Sequence, residues 1–596
     1  MNEKEGEIYL LTTGEKVTSL VPYRFPTEEY LKAFEEESAP FLFYYSIGEK
    51  GVKEVSFTRG SFLKEALRAA NLIKAHNIPV KGRIIHGFSC NHPYDLILRL
   101  AEILTATVGV TVNWQADSEE RLIYKTKISG AKLFFYDEGF KDKAFAIRSA
   151  LTGVEFLPVE TIHDSPSDVF PFPPLSYNDE KTIIFTSGTT GNPRGVILSH
   201  LNYLTNRLTF EDYFSLTSEE EMELFLVNPL HHTNSSALTD WAMRHKNAVL
   251  HLAQRYTTSF WSLLAAKVVK RRGLFITSLV PRHFDFLEEL ATKKKLPLPY
   301  EDLFNALSQV EILVGSAPVG PKTVKNVLHF AGHPPLIRFG STETCLEVMA
   351  IPRTLKEKEI LASFERGLNY HLRGEKMPGY YIGRPHFPFT AVKIVKSLDP
   401  ESKDFLKQCP LGEPGYFITR GGNVMIGYVG DEEGTRSVMQ GGWYIGLRDM
   451  GFALPAEDGE IDYYFVGRDS AMLIRGGANY SYEQIAADLV KLIEKEFSLP
   501  SEAFKLAVVG IPVGSEHEES CVVTIELSPE AEKKRENLEQ KLLAVASLKL
   551  PKGFRPDYLR FGKIPLNFKG AVLYSQLKKE VYTHLQSQGI LLQGGK

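Results

Sequence analysis

Short apolar runs alternate with amphipathic stretches from about residue 60 to about residue 340. Residues 60–78 predict an amphipathic helix, because small and apolar residues recur there at helical spacing: Phe62, Ala66, Ala69 and Ile73. Apolar runs such as GRIIHGFS, VGVTVNW and AKLFFYD flank a helical pattern in YDLILRLAEILTA, and similar runs recur at LFLVNPL, LFITSLV and VEILVGS. Strand, helix and strand in this order predict parallel βαβ units and an α/β fold.

The pattern changes after about residue 385. Glycine-punctuated apolar runs (TAVKIVKS, GYFITRGG, GWYIGLRD, IDYYFVGR) predict a small antiparallel, β-barrel-like part. Beyond Asp469, the runs KLAVVGIP, CVVTIEL and DYLRFGKIP predict a smaller α+β unit, with a helix opening at Ser528. We therefore predict a large multi-subdomain N-terminal body, residues 1–468, and a mobile C-terminal lid, residues 469–596.

A loop rich in glycine and hydroxyl groups, TSGTTGNPRG, lies between two apolar runs at residues 186–195. Glycine allows a close backbone approach, and consecutive N–H groups in such a turn form a concavity that suits anions. The pattern predicts a polyphosphate-binding loop formed by Thr186, Ser187, Gly188, Thr189, Thr190, Gly191 and Arg194. The alternative is a surface hairpin turn, which also favours Gly, Asn, Pro and Ser. The order is not that of a Walker loop, and Ser199 is the expected N-cap of the next helix.

Composition narrows the class of protein. A chain of 596 residues exceeds what one core supports, so at least two domains are expected. A net charge of −4 gives no sign of nucleic-acid binding. The four cysteines are scattered without a metal-ligand spacing, which favours a reducing, cytoplasmic compartment. No apolar run has the length of a transmembrane segment, and the N-terminus lacks a signal-peptide core.

The loop TSGTTGNPRG resembles the phosphate loop of the adenylate-forming (ANL) superfamily, which includes acyl-CoA synthetases, fatty acyl-AMP ligases, luciferases and peptide-synthetase adenylation domains. The usual form ends in Pro-Lys-Gly, and Arg194 keeps the charge. RFGSTETC, from residue 338, resembles a second family motif. It implies that Phe339 stacks on adenine, that Thr342 bonds the phosphate and that Glu343 holds Mg²⁺, with Gly340 and Ser341 between them. The alternative for this motif is a polar turn after a strand.

Three further stretches extend the resemblance. GSAPVG at 315–320 implies an adenine-side segment formed by Gly315, Ser316, Ala317 and Pro318. NPLHHT at 228–233 implies that His232 lies beside the carboxylate of the acid, although a lone histidine in such a run is more often a core residue. GWYIGLRDMGF carries one inserted residue, and it implies that Asp449 accepts the ribose hydroxyls while Arg468 binds the ribose from the other side. ATP is then expected between the loop at 186–195 and Asp449.

The C-terminal motif departs from the family. The usual form is Pro, four residues and Gly-Lys, and the lysine reaches the substrate carboxylate and the α-phosphate. Here PLNFKGAVL aligns Gly570 with the glycine and places Ala571 at the lysine position. Lys569 would lie on the same face if this stretch is a strand, so it is a candidate replacement. Loss of adenylation power and an engineered change remain alternatives.

The resemblance implies an AMP-forming acid–thiol ligase that uses ATP and Mg²⁺. The acyl group would pass to CoA or to the phosphopantetheine of an acyl carrier protein. The charge-rich segment from Leu355 to Met377 is either an insertion that hinders closure onto CoA, as in fatty acyl-AMP ligases, or a solvated surface helix. The acid is expected to be fatty or otherwise apolar, with room left by Ser235, Ser236 and Ala237. The alternative function is an adenylation-impaired, nucleotide-binding relative with a regulatory role.

Overall fold

A computed structural model describes the chain in two compact units. The described residues are 10–11, 13–48, 51–114, 117–186, 193–217, 219–317, 319–468, 472–475, 478–511, 513, 519–550, 552–567 and 570–591. The first unit comprises Met1–Phe364, Ile382–Lys393 and Ile418–Leu447. The second unit comprises Glu365–Tyr381, Ile394–Phe417 and Arg448–Lys596.

Helices and strands alternate along most of the chain. The α-helices are α1 (Pro26–Ala33), α2 (Arg59–Ala75), α3 (Pro93–Thr105), α4 (Glu119–Ser129), α5 (Lys141–Arg148), α6 (His200–Phe214), α7 (Thr233–Arg244), α8 (Ser259–Val268), α9 (Pro281–Thr292), α10 (Tyr300–Leu307), α11 (Pro321–Ala331), α12 (Glu357–Leu368), α13 (Glu432–Val438), α14 (Tyr482–Phe497), α15 (Arg535–Lys549) and α16 (Tyr574–Ser587). The strands are β1 (Pro40–Gly48), β2 (Gly51–Thr58), β3 (Arg83–Gly87), β4 (Val108–Thr111), β5 (Leu133–Tyr136), β6 (Glu155–Pro158), β7 (Glu180–Thr186), β8 (Arg194–Ser199), β9 (Met222–Leu226), β10 (Ala248–Ala253), β11 (Leu274–Leu279), β12 (Glu311–Val314), β13 (Leu336–Phe339), β14 (Met349–Ala350), β15 (His371–Leu372), β16 (Glu375–Lys376), β17 (Tyr380–Pro385), β18 (Thr390–Val395), β19 (Gly415–Gly421), β20 (Gly427–Tyr428), β21 (Met439–Gln440), β22 (Trp443–Tyr444), β23 (Asp449–Pro455), β24 (Ile461–Arg468), β25 (Met472–Arg475), β26 (Ala478–Ser481), β27 (Phe504–Ile511), β28 (Ser520–Leu527) and β29 (Tyr558–Phe561).

Two largely parallel sheets form the first unit. In one, neighbouring strands follow the order β1, β10, β9, β11, β12 and β13, and all these pairs are parallel. In the other, the order is β8, β7, β4, β3, β5 and β6, where only the β7–β8 pair is antiparallel. The buried strands are apolar and helices connect them, so the predicted parallel α/β arrangement is confirmed.

Local sequence signals mark two helices correctly and one wrongly. In α2, Phe62 and Ile73 are fully buried, as the helical spacing predicts. Ser199 caps α6, because its side chain accepts a hydrogen bond from the Asn202 backbone N–H. The helix predicted to open at Ser528 is wrong. The carbonyl and hydroxyl oxygens of Ser528 accept hydrogen bonds from the Ala531 N–H and close only a short turn. Helix α15 begins later, at Arg535.

A buried charge cluster lies in the first unit beside α3. Nδ1 of His86 is 2.9 Å from a carboxylate oxygen of Asp95, and Nε2 is 2.7 Å from one of Glu102. Burial lowers the pKa of His86, but the two carboxylates outweigh it and raise the pKa to about 9. Arg99 donates to Asp95 from Nε at 2.8 Å and to the carbonyl of Leu230 from Nη2 at 2.9 Å. The cluster therefore fixes the backbone that leads into α7.

The second unit has its own apolar core. Strands β27 and β28 pair antiparallel, β28 and β29 pair parallel, and α14, α15 and α16 contribute buried residues to the same core. Antiparallel pairs also join β19 to β23 and β23 to β24. This agrees with the predicted antiparallel part and α+β unit, so the fold is a mixed α/β body with a smaller C-terminal domain. The boundary between residues 468 and 469 stays a prediction.

The charge-rich segment predicted as an insertion is divided between the two units, and its C-terminal part, from Glu365, belongs to the second unit. Arg366 donates from Nε to the Tyr464 hydroxyl at 3.0 Å and from Nη1 to the carbonyl of Pro455 at 2.7 Å. Tyr370 stacks on Phe452 with ring centroids 4.5 Å apart. The segment is therefore packed, not a fully solvated helix. Over the described ranges of the chain, no helix combines the length and apolar character needed to cross a membrane.

Candidate functional site

An antiparallel strand pair frames the predicted phosphate loop. Thr186 ends β7 and is paired in register with Arg194, the first residue of β8. The Thr186 hydroxyl donates to the Arg194 carbonyl at 3.4 Å. The two ends of the loop are thus next to each other, as expected for a loop that closes around a ligand. The intervening predictions, for Ser187, Gly188, Thr189, Thr190 and Gly191, lie outside the described residues.

Tyr428 connects the loop to the acidic motif. The Arg194 guanidinium lies 5.2 Å from the centroid of the Tyr428 ring, and its Nε is 3.8 Å from a carboxylate oxygen of Asp431. The Tyr428 hydroxyl donates to Oε1 of Glu343 at 3.2 Å. Burial and the Glu343 charge raise the pKa of Tyr428, so its hydroxyl stays a neutral donor. The arrangement brings a cation, a phenol and a carboxylate together within the first unit.

The motif at 339–343 leaves the sheet through a tight turn. Phe339 is the last residue of β13, and a Cβ on Gly340 would lie 2.1 Å from the carbonyl oxygen of Leu346. Thr342 and Glu343 belong to a short 3-10 turn, and the Met425 N–H donates to the Glu343 carbonyl at 2.8 Å. The N–H of Ser341 donates to the Thr344 hydroxyl at 2.8 Å. Backbone contacts therefore fix the position from which Glu343 extends its carboxylate.

The predicted adenine-side segment follows the neighbouring strand. Strands β12 and β13 are parallel, with Val314 opposite Ile337. A Cβ on Gly315 would lie 2.9 Å from the carbonyl oxygen of Arg338, so the two backbones approach closely there. Ser316 has a φ of +67°, and Ala317 follows it. These residues lie at the same strand ends as Phe339, whereas Pro318 is outside the described residues.

His232 lies at the same edge of the sheet. It is the N-cap residue of α7, and its carbonyl accepts from the Ser236 N–H at 3.0 Å. Its ring centroid is 4.3 Å from that of His231. The carboxyl ends of parallel strands are the usual position of ligands in such sheets. The structure thus brings His232 to the edge that also carries Gly315 and Phe339.

The small residues expected to leave room for the acid lie inside the packed core. Ser235 and Ser236 are 0% and 2% exposed. The Ser236 hydroxyl is 2.7 Å from Nη1 of Arg99 and 2.6 Å from the Tyr203 hydroxyl. The expectation that they open an acyl pocket is wrong, because their side chains are used in hydrogen bonds within the core.

The second unit holds the predicted ribose and lid residues. Asp449 begins β23, is 1% exposed, and is paired in register with Arg468 of β24. Ala571 is exposed, and its carbonyl accepts from the Asn567 N–H at 2.9 Å while Gly570 has a φ of +78°. Asn567 and Ala571 thus close a turn. Lys569, the candidate replacement for the usual lysine, lies outside the described residues, and its role stays a prediction.

Sequence reasoning missed Tyr428, which lies 85 residues from Glu343. No local pattern marks it, because its role comes from the pairing of β20 with β8. Within the described ranges, no group of three or more His, Cys, Asp or Glu side chains is placed to hold a metal ion. A cation at Glu343 would therefore draw its other ligands from phosphate oxygens and water, as Mg²⁺ commonly does.

The β7–β8 pair that frames the predicted phosphate loop belongs to one sheet, and the acidic turn after β13 belongs to the other. Tyr428 connects the two. Residues 35–429 match the AMP-binding enzyme family. The chain therefore belongs to the AMP-binding enzyme family.

Individual relatives agree. The chain is 25% identical over 423 residues to the human mitochondrial medium-chain acyl-CoA ligase ACSF2, with 69% of this chain and 59% of that protein covered. It is 24% identical over 401 residues to the 2-succinylbenzoate–CoA ligase of Bacillus velezensis, covering 67% and 70%. It shares the fold of o-succinylbenzoate coenzyme A synthetase from Bacillus subtilis in complex with ATP and magnesium ion. The TM-score is 0.69, with 19% identity and coverage of 92% of this chain and 99% of that one. The chain thus spans less than two thirds of the length of the human relative.

Proposed function

We propose that this protein activates a carboxylic acid with ATP to an acyl-AMP and then transfers the acyl group to a thiol. The observation that carries the proposal is the connection from Arg194 through Tyr428 to Glu343, next to the hairpin of the predicted phosphate loop. A cation and a carboxylate held at a fixed spacing suit a polyphosphate with its metal ion. Membership of the AMP-binding enzyme family supports the same assignment.

In the first half-reaction, a carboxylate oxygen attacks the α-phosphorus of ATP. The bond from that phosphorus to the bridging oxygen breaks, and pyrophosphate leaves with its electron pair. Arg194 would offset phosphate charge, and Tyr428 would hold Oε1 of Glu343 so that the second oxygen faces a metal ion. Bound Mg²⁺ would supply neutralisation of the polyphosphate. The chain's own contribution is positioning and electrostatics.

In the second half-reaction, a thiol attacks the acyl carbon and AMP leaves. CoA is the proposed acceptor, because the human and Bacillus velezensis relatives are both named CoA ligases. The phosphopantetheine of an acyl carrier protein is the alternative. The names of these two relatives refer to different acids, so they do not identify the acid substrate of this protein.

Pyrophosphate release with a panel of acids tests the proposal. We expect release that requires ATP, Mg²⁺ and an acid together, with acyl-AMP detected by mass spectrometry. Adding CoA or a holo-carrier protein separately then identifies the acceptor. If the protein binds ATP but releases no pyrophosphate with any of the acids, the result would instead support a non-catalytic, nucleotide-binding role. The observation behind this alternative is Ala571 at the usual lysine position.

A further inference from the structure

The segment that connects β9 to His232 is held by side chains from other elements. Its residues 227–230 are largely buried, so their backbone N–H and C=O groups need partners. Asn91 supplies three of these partners, because its amide binds the carbonyl oxygens of Val227 and Asn228 and the N–H of Leu230. One side chain therefore fixes both the start and the end of this segment.

Asn91 is enclosed and uses both ends of its amide group. The residue is 1% exposed. Its Nδ2 donates to the carbonyl oxygen of Asn228 at 3.1 Å and to that of Ala253 at 3.0 Å, and the carbonyl oxygen of Val227 lies at 3.4 Å. Its Oδ1 accepts from the Leu230 N–H at 2.9 Å. A neutral amide suits this place, because it can donate to carbonyls and accept from an N–H at the same time.

The position of Asn91 joins the two sheets of the first unit at their carboxyl edges. Asn91 follows β3, and β3, β4 and β7 run parallel, so it lies at the edge where Thr186 ends β7. Val227 follows β9 and Ala253 ends β10, and these are parallel strands of the other sheet. Ligands of parallel sheets bind at the carboxyl edge. The hydrogen bonds of Asn91 therefore connect the edge of the predicted phosphate loop to the edge that carries His232.

Arg99 and Ser235 bind the same segment. Nη2 of Arg99 donates to the Leu230 carbonyl at 2.9 Å. The Ser235 hydroxyl donates to the Asn228 carbonyl at 2.9 Å. The Leu230 N–H has Oδ1 of Asn91 as its acceptor, and a buried N–H that loses its acceptor is unfavourable. Removing the amide of Asn91 would therefore let the segment shift, while the other two side chains still hold part of it.

We propose that Asn91 is a positioning residue of the acid site. It fixes residues 227–230 and, through them, the place of His232 beside the reacting carboxylate. The His232 N–H donates to the Pro229 carbonyl at 3.1 Å, so the location of the ring follows the turn that Asn91 holds. The inference rests on the proposed function, because it takes the carboxylate from there. A group that is displaced by about 1 Å can lose much of its effect on a reaction, so such a hold matters for catalysis.

Separate KM values for the acid and for ATP distinguish positioning from stability. Asn91→Asp keeps the size of the side chain and the acceptor for Leu230, but it sets a negative charge against three carbonyl oxygens. In pyrophosphate release we expect the KM for the acid to rise at least about tenfold, the effect of losing one hydrogen bond to a charged group. The KM for ATP should not change. General loss of folded protein would lower kcat and leave both KM values as they are.

Asn71→Asp is the matched control. The Nδ2 of Asn71 also donates to three backbone carbonyls, those of Leu67, Pro166 and Asp168, at 3.0, 3.1 and 2.9 Å. It lies in α2 and holds a different loop. This variant should leave the KM for the acid unchanged.

Hydrogen exchange tests the hold on the segment without catalysis. Peptides that cover residues 227–232 should exchange faster in Asn91→Ala than in the wild type, and no faster in Asn71→Ala. Equal exchange of these peptides in the two variants, or a rise in both KM values of Asn91→Asp, or a change in its kcat alone, would overturn the inference and leave the proposed function intact. If the wild type releases no pyrophosphate with any acid, the proposed function fails, and faster exchange in Asn91→Ala alone would still support the hold on the segment. If Asn91→Ala does not fold, the KM values of Asn91→Asp decide.

Discussion

Arg366 and Asp462 form an ion pair in which the carboxylate is completely buried. Nη2 of Arg366 is 2.5 Å from Oδ2 of Asp462, and the side chains are 31% and 0% exposed. The Tyr381 hydroxyl donates to the other carboxylate oxygen at 3.1 Å. The end of α12 thus covers a charge inside the second unit. This makes the part of the charge-rich segment that begins at Glu365 a structural part of that unit.

Replacing Arg366 should destabilise the β23–β24 hairpin. Arg366→Met removes the cation that is paired with the buried carboxylate of Asp462, and losing one partner of a buried ion pair costs about 3 kcal/mol. Native-state hydrogen exchange should show lower protection of the β23 and β24 amides. Arg373→Met is the matched control. It breaks a pair with Glu413 in which the arginine is 79% exposed, and it should change protection little. Equal protection in both variants would contradict the structural role.

His86 should make stability depend on alkaline pH. Its pKa is raised to about 9 in the folded chain, above the ordinary 6.5. A raised pKa means that its stabilisation is fully present below 6.5 and is lost as pH rises through about 9. The Tm of the wild type should therefore fall more steeply over this window than that of His86→Gln. Parallel Tm profiles for the two proteins would show that the charged ring adds nothing.

Glu343 should couple nucleotide binding to magnesium. Glu343→Gln keeps a hydrogen-bond acceptor for Tyr428 but removes the charge that a hard cation prefers. We expect ATP affinity measured with Mg²⁺ to fall at least about tenfold, as for a lost charged interaction of about 1.4 kcal/mol or more. Affinity measured in EDTA should not change. A similar loss in both conditions would mean that Glu343 supports the fold and not the metal ion.

Asp449 should contribute to ribose binding. Asp449→Ala is expected to weaken ATP binding by about 1.5–3 kcal/mol, the range for hydrogen bonds to a charged group. Asp458→Ala, in the exposed turn of the same hairpin, is the control. Calorimetry on both variants checks the assignment. Unchanged affinity in Asp449→Ala would remove this residue from the site.

The C-terminal motif makes a prediction about the missing lysine. If no other cation of the C-terminal domain replaces the missing lysine, Ala571→Lys should raise the adenylation rate by roughly 10²–10³, the usual effect of one electrostatic group. In that case Lys569→Ala should do little. If Lys569 has taken over, Lys569→Ala should abolish adenylation and Ala571→Lys should barely help. Pyrophosphate release decides, and no change in either variant would mean that neither position acts in this step.

The fold could be read from the sequence because its signals are local. The spacing of Phe62 and Ile73, the capping by Ser199 and the glycine-hydroxyl loop each occupy a few consecutive residues. Tyr428 could not be assigned in this way. It acts through the pairing of two strands, β20 and β8, that lie far apart in the sequence.

Gly340 limits what the motif can tell about relatives. The carbonyl of Leu346 occupies the space that any side chain at this position would need. Selection for folding alone is therefore enough to preserve the glycine, even in a homologue that no longer binds ATP. A homologue that retains Gly340 but lacks a carboxylate at 343 would have kept the shape of the turn without its chemistry. Glu343 and its distant partner Tyr428 therefore distinguish orthologues that use ATP better than Gly340 does.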